Sequence, residues 1–374
     1  MKKFLSLSLA MLMMASVLAG CGGSGSAPAA SSASSAAASS ASSAAAPVAT
    51  NKGGMEGGTS LNFTTGGDQG TYYGFGGVLA GKVGESTSTT VTAITSGGSQ
   101  ANIEAMEAGD AQLGFVQSDV MAYAYNGTNL FDGSKIDTFS TVADLYMEQV
   151  QIVTLDSSIK SVADLKGKNV SIGAAGSGVY YNAIDVLGAY GLTENDIKPT
   201  FQSFGDSTEA LQDGKIDAAF VVAGAPTTAV TSLAATKPVY LVSLDDEHID
   251  ALIAESPYYS KNIISKDAYG TPEDVTTVAV GAVVIARDDV SEADVYNFLY
   301  GIFENLDAIT AAHAKGAELN LEFAASVTAV PYHPGAAKYF AEKGIEVASV
   351  KEGAGTGESR NLRFVTGGES GTYY

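Results

Sequence analysis

The chain has 374 residues, 45% of them hydrophobic and 16% charged, with one Cys and three His. A single thiol argues against a disulfide scaffold or a multi-thiolate metal centre, and His248, His313 and His333 are too scattered for a His-rich one, so no metal or cofactor is expected. A formal net charge of −21 argues against nucleic acid as a partner, which needs basic surface to displace counterions; a small anion held in a locally positive cleft stays compatible with it.

Lys2 and Lys3 precede an apolar run from Phe4 to Leu18, the pattern of a secretory signal over residues 1–20. The run ends Leu18-Ala19-Gly20-Cys21, which resembles the lipobox of bacterial lipoproteins and implies lipidation at Cys21. The expected location is therefore extracytoplasmic, lipid-anchored to the cell membrane. Residues 21–58 are mostly Ser, Ala, Gly and Pro, with too little apolar surface to offset the entropy of ordering, and read as a flexible tether.

From Leu61 onward short apolar runs, glycine turns and helical patterns alternate, the signature of an α/β fold. A strand over Leu61–Thr65 leads through glycines into Gly70-Thr71-Tyr72-Tyr73, which opens a helical pattern. A second strand, Asn169–Gly173, leads in the same way into Gly178-Val179-Tyr180-Tyr181. At nearly the same offset, the segment from Glu104 to Val116 parallels that from Glu209 to Val221: a helix stopped at a glycine, then a strand ending Phe-Val. Two similar half-repeats predict two similar lobes. A glycine turn feeding a helix leaves backbone N–H groups free at the positive end of the dipole, so the matched pair predicts a small anion gripped from both sides. The apolar run Thr276–Ala286 reads either as a hinge strand or as a plain buried strand.

Several motifs are more specific. Ser161 to Lys168, followed by Val170-Ser171-Ile172-Gly173, resembles the inter-lobe region of type II periplasmic binding proteins. Thr65-Gly66-Gly67-Asp68-Gln69-Gly70-Thr71-Tyr72-Tyr73, Ser96-Gly97-Gly98-Ser99-Gln100-Ala101-Asn102 and Pro331-Tyr332-His333-Pro334-Gly335-Ala336 together resemble the TAXI family, the solute receptors of one class of TRAP transporters. The resemblance implies a two-lobed binding domain over 59–350, with lobe 1 at 59–145 plus 283–350 and lobe 2 at 150–278. The lobes would be joined by hinge strands and would close on a ligand in the cleft. It also implies a small carboxylate ligand, such as glutamate, glutamine or 2-oxoglutarate, and delivery to a TRAP membrane permease.

The family lacks the arginine clamp of other TRAP receptors, and Arg287 is the one Arg inside the domain here, more readily solvated or internally paired than clamping. A neutral site of backbone N–H groups at 67–71 and 176–179 is expected instead. Carried over by motif position are Gly67, Thr71, Tyr72 and Ser99. Added from lobe 2 are Ser177, Gly178, Gly224 and Pro226. Gln117 is added because open α/β sheets bind ligands at strand C-termini. Neighbouring helix residues point about 100° apart, which leaves one tyrosine of each pair for the cleft; Tyr72 and Tyr180 are chosen. Tyr258 and Tyr259 read as surface loop, with a cleft wall as the alternative. An amino-acid ligand would need an acceptor for its ammonium, for which Asp68, Asp119 and Glu104 are the candidates near the motifs.

No catalytic constellation is found. Gly97-Gly98-Ser99-Gln100-Ala101 only loosely resembles a nucleophile elbow, with Ala in place of the last Gly, and His333 reads as a residue leading into a helix rather than a base. A two-lobed enzyme and a surface-anchored interaction protein remain the alternatives. Finally, Leu362–Tyr374 repeats Leu61–Tyr73 at nine of 13 positions after a glycine-rich stretch, so 351–374 reads as a linker and the truncated start of a second repeat.

Overall fold

The computed structural model describes residues 52–358. The signal peptide expected at 1–20, the lipidation at Cys21, the tether up to residue 51 and the repeat at 362–374 lie outside the described residues.

The first half-repeat folds as β1 (Ser60–Thr64), α1 (Thr71–Ser86), β2 (Thr90–Ile94), α2 (Ser99–Glu107) and β3 (Leu113–Gln117), followed by α3 (Ser118–Asn126). A long strand, β4 (Phe139–Thr154), leads into the second: β5 (Asn169–Ser171), α4 (Val179–Ala189), β6 (Lys198–Thr200), α5 (Phe204–Gln212) and β7 (Ala218–Ala223). The chain continues through α6 (Thr228–Ala234), β8 (Tyr240–Leu241), α7 (Asp246–Glu255) and β9 (Ser260–Ile264). It returns through β10 (Val275–Arg287) and ends in α8 (Glu292–Phe303), α9 (Leu306–Ala312), α10 (Leu321–Ala324) and α11 (Pro334–Glu342).

The strands form one path, β2-β1-β3-β10-β4-β7-β5-β6, whose two ends mirror each other. In each half the three short strands are parallel, as helical crossovers require, and the third lies antiparallel to a long strand, β10 for β3 and β4 for β7. β4 and β10 run antiparallel beside one another, from Ala279 opposite Gln149 to Arg287 opposite Phe139. β3 borrows the end of β10 from Ala282, whereas β9 borrows its start up to Ala279. The two long strands therefore belong to both lobes and cross between them near Glu148 and Val280. Two register irregularities in their pairing fall just beyond, at Ala282/Val283 and Val284/Ile285.

This is the two-lobed α/β architecture expected from the half-repeats. Packing follows the same division. One cluster gathers Phe63, Phe75, Phe115 and Tyr146 with Phe298 and Phe340 from the last helices and Tyr332 from the segment just before α11. In the other lobe the strand period of two splits the core: Ile152, Phe220 and Val222 face one layer of helices, Val153, Ala219 and Val221 the other.

Both ends of the domain are stitched in beyond the boundaries expected from composition. The Gly53 amide donates to the Ser86 carbonyl (2.8 Å), Met55 N to Asn297 Oδ1 (2.6 Å) and Thr59 N to Asp294 Oδ1 (2.7 Å). Packing thus starts ahead of residue 58, because polar side chains of α8 supply partners that a Gly-rich segment cannot supply itself. At the other end Lys351 N donates to the Tyr332 carbonyl and Gly355 N to that of Asp288. His333 is the N-cap of α11: its Nδ1 accepts from Gly335 N (3.1 Å), its Nε2 donates to the Val290 carbonyl (3.0 Å), and Pro334 starts the helix. Burial holds this imidazole neutral, its pKa lowered to about 4. No helix among the described residues is long and apolar enough to cross a membrane.

Candidate functional site

Every parallel strand points its C-terminal end at one cavity between the lobes. Residues 66–72, 96–99 and Gln117 follow β1, β2 and β3 onto its wall. Ala174, residues 177–179, residues 202–205 and Val222-Ala223 reach it from β5, β6 and β7. The space open to the centres of water-sized molecules is about 80 Å³, room for a small solute or several waters.

Four helices also begin there. α1, α2 and α4 start after Gly70, Gly98 and Gly178, none has a side-chain cap, and none carries an acidic residue in its first turn. Of their first-turn N–H groups, Ala101 N is taken by the Gly176 carbonyl and Tyr181 N by that of Gly178, but three positive dipole ends from both lobes still converge on one space. The fourth, α5, is capped by Ser203, whose Oγ accepts from Asp206 N (3.1 Å). Gly98 has φ 115°, a backbone conformation that favours glycine, and sits against Ser177 of the other lobe.

The cleft is closed. Ala101 N donates to the Gly176 carbonyl (3.0 Å), Ala229 N to that of Gln69 (3.1 Å) and Thr71 Oγ1 to that of Gly224 (2.8 Å). A fourth bridge is a chain of side chains with a fixed polarity. The Asp119 carboxylate accepts from Asn182 Nδ2 (2.9 Å), which leaves Asn182 Oδ1 to accept from Gln117 Nε2 (2.9 Å). Asn182 Nδ2 also donates to the Tyr259 hydroxyl (2.8 Å), which itself donates to Asp185 (2.8 Å). Asp119 is wholly buried, and desolvation raises its pKa to about 6.

Of the residues chosen from the sequence, Gly67, Thr71, Tyr72, Ser99, Gln117, Ser177 and Gly178 are on the wall. Several of their polar groups are already engaged: Thr71 on Gly224, Gln117 on Asn182, and Ser177 Oγ on the Ala174 carbonyl (2.7 Å). Tyr180 is not on the wall. It turns outward on α4, donates to Glu194 Oε2 (2.9 Å) and lies beside Phe201, while its neighbour Val179 takes the wall position. Gly224 sits one layer back, its carbonyl occupied by Thr71 and Thr227. Pro226, after a cis peptide bond, is exposed at the end of that turn. Tyr259 is buried in the Asn182 network rather than lying in a surface loop. Arg287 pairs with Asp289 well away from the cavity.

What sequence reasoning missed is Glu148. It sits in the crossing segment of β4, is 2% exposed, lines the cavity, and accepts at Oε2 from the Tyr72 hydroxyl (2.7 Å). Tyr72 is stacked on Phe115, ring centroids 4.7 Å apart, so its hydroxyl is held in place. Burial, then the nearby Asp119 charge, pushes the Glu148 carboxyl well above the usual range; the Tyr72 bond and Lys315 oppose this. The available signal was a Glu amid sixteen residues of an otherwise uncharged strand apart from Asp144, a costly placement for a structural strand. The three acceptors weighed from sequence fare differently: Asp68 is on the wall but exposed, Asp119 lies behind Gln117, and Glu104 is on the surface with Gln100.

Residues 63–344 match the NMT1-like family. The chain belongs to the NMT1-like family. Among solved structures, this NMT1-like chain is similar to the alkanesulfonate-binding protein SsuA of Xanthomonas axonopodis pv. citri bound to MOPS, with 14% identity, TM-score 0.43, and 75% of this chain and 83% of that one covered. It is also similar to the periplasmic aliphatic sulphonate binding protein SsuA of Escherichia coli (17%, TM-score 0.42, 77% and 91%). A third is the GluR0 ligand-binding core of Nostoc punctiforme in complex with L-glutamate (15%, TM-score 0.41, 69% and 99%).

Proposed function

We propose that this protein is an extracytoplasmic solute receptor that closes two lobes around a small carboxylate and hands it to a membrane permease, tethered through lipid on Cys21. The observation that carries this reading is the meeting of three uncapped helix N-termini, drawn from both lobes, at one enclosed cavity. Such a site reads negative charge with backbone N–H groups, and it is complete only when the lobes are together, which couples capture to closure. The wall residues Gly67, Thr71, Tyr72, Ser99, Gln117, Ser177 and Gly178 are assigned to the ligand shell.

The test is thermal unfolding of residues 22–374, refolded after denaturation to strip captured solute, against amino acids, 2-oxoacids and short dicarboxylates. A solute at ~1,000 times its Kd adds about 4 kcal/mol of stability, a plain rise in midpoint. A folded protein with no response to any carboxylate would overturn the reading in favour of an interaction protein. The motifs at 65–73, 96–102 and 331–336, which resemble the TAXI receptors, support a permease of the TRAP class. Uptake by the reconstituted pair should then run on an ion gradient; uptake that requires ATP would place the receptor in an ABC-type import system.

A further inference from the structure

The cavity is electrically lopsided. Its glycine-turn end presents helix N-termini, whereas at the hinge it meets a carboxyl group. Among the described residues the wall carries no Lys or Arg, and its ionisable carboxyls are Asp68, exposed at one side, and Glu148, buried at the crossing of the lobes. Tyr72 engages Oε2 of Glu148, and Oε1 has no partner among the described residues.

The groups facing Glu148 do not neutralise it. Tyr72 on α1 donates one hydrogen bond, and Asp119 on α3 and Asp144 and Tyr146 on β4 add negative charge or none. Lys315, on the short turn after α9, is the single cation close by among the described residues. It is buried over the Tyr146 ring, 5.5 Å from its centroid, and its Nζ is held 2.5 Å from Glu318 Oε1. A second anionic group of a solute placed at this end would meet a carboxyl, with a tyrosine hydroxyl already spent on it. A cationic N–H group would meet an unsatisfied acceptor.

We infer that the solute is a zwitterion of the amino-acid class, whose carboxylate lies on the helix N-termini and whose ammonium is received by Glu148. This rests on the receptor reading above and narrows it: 2-oxoacids and simple dicarboxylates of the same size bring no cationic N–H group to the acceptor at the hinge. Burial strengthens the hold of the Glu148 carboxyl on a proton, so a proton and an ammonium compete for the same group. Affinity for an amino acid therefore falls as pH falls, in the direction of reprotonating Glu148.

The experiment is isothermal titration of residues 22–374 with glutamate and 2-oxoglutarate, which differ in one amino-for-keto exchange, and with other amino-acid and 2-oxoacid pairs. The expected result is at least a 100-fold preference for the amino acid, narrowing as pH is lowered. Glu148→Gln should lose at least tenfold for the amino acid while sparing the oxoacid. Tyr72→Phe, which leaves the fold's charge unchanged, should also weaken amino-acid binding, because it removes the one donor that holds Glu148 in place. Oxoacids binding as well as amino acids, or Glu148→Gln and Tyr72→Phe both leaving amino-acid affinity intact, would overturn the inference while the receptor reading stands. No binding by either class would remove the receptor reading and this inference together.

Discussion

The two half-repeats enclose the cavity with the same elements and different chemistry. The first brings Tyr72, Ser99 and Gln117, with Glu148 added from the crossing strand. The second brings Val179, Phe204, Val222 and Ala223, with Ser177 turned back on its own loop. On the receptor reading, the first side supplies most of the polar side chains and the second, apart from Ser177, Gln202 and Ser203, the apolar cover that keeps water away, where the low dielectric makes each hydrogen bond count for more. Equivalent positions of the two repeats should therefore respond unequally to the same substitution.

The largest difference is expected at the glycines before α1 and α4. Neither has a positive φ, so both admit other residues conformationally, and only space separates them. A Cβ on Gly178 would lie 1.6 Å from Gln117 Oε1 and 2.9 Å from Val120, both on the opposite lobe, and the Asn182 bond keeps Gln117 from swinging aside. A Cβ on Gly70 would meet the Gly67 carbonyl at 3.2 Å and Phe204 at 3.5 Å, contacts that a small shift relieves. Gly178→Ala should cost 100-fold or more in solute affinity by propping the cleft open, with the stripped protein still folded by circular dichroism; Gly70→Ala should cost a few-fold. Equal losses at the two would mean that closure does not bring Gln117 onto Gly178.

A second contrast concerns charge. Asp119 bonds across the cleft through Asn182 and has its pKa raised from 3.8 to about 6. The folded protein thus binds the proton more tightly than the unfolded chain. Stability from this group is fully present below pH 3.8 and is lost as pH rises through about 6. At pH 7 the ionised form costs roughly 3 kcal/mol against a neutral isostere. Asp119→Asn should match the parent in thermal midpoint near pH 4 and exceed it at pH 7 to 8, since the amide keeps an oxygen for Asn182. His333 has the opposite sign: with its pKa lowered to about 4, its share of stability is lost as pH falls from 6.5 towards 4. A difference between Asp119→Asn and parent that grows towards low pH would refute the assignment.

What the sequence told, and what it did not, follows the same line. Repetition is local information: a glycine turn opening a helix and a helix stopping at a glycine before a strand are read within a dozen residues, and the strand order of each half follows from them. The wall residues in those turns were legible for that reason. Glu148 was not, because its burial depends on β4 and β10 crossing beside each other, a pairing between residues far apart in the chain. Tyr180 failed for a subtler reason. Sequence put it level with Tyr72, but the second repeat presents Val179 to the cleft and sends the following residue outward, which only the three-dimensional phase of α4 decides. The ends were misread because composition ignores what a partner offers: a Gly-rich segment orders when Asn297 and Asp294 supply its hydrogen bonds.

Phe204 tests the sealing role. It is half-buried on the wall at the start of α5 and packs near Gly70 across the cleft. Phe204→Ala would admit water to the cavity without removing a polar group, so solute affinity should fall about tenfold, about 1.4 kcal/mol, with the selectivity among solutes unchanged. A change in selectivity would show that the second lobe reads the solute as well as covering it.

The smallest effect is expected at the tyrosine that the repeat most strongly suggested. Tyr72 and Tyr180 hold equivalent places in the two half-repeats, each donates to a glutamate, and the surroundings differ. Glu148 is 2% exposed, so Tyr72→Phe strands a buried carboxyl oxygen with no water to replace the donor. The Tyr180 hydroxyl meets Glu194 near the surface, where water takes over the lost bond. Tyr180→Phe should leave solute affinity within twofold of the parent and shift stability by less than about 1 kcal/mol, whereas Tyr72→Phe should lower affinity tenfold or more. Because both substitutions delete one oxygen from the same residue type at the same point of a repeat, the gap between them measures burial alone. A Tyr180→Phe variant that lost affinity as Tyr72→Phe does would mean that α4 turns on closing around solute, and that Tyr180 enters the cleft only when solute is present.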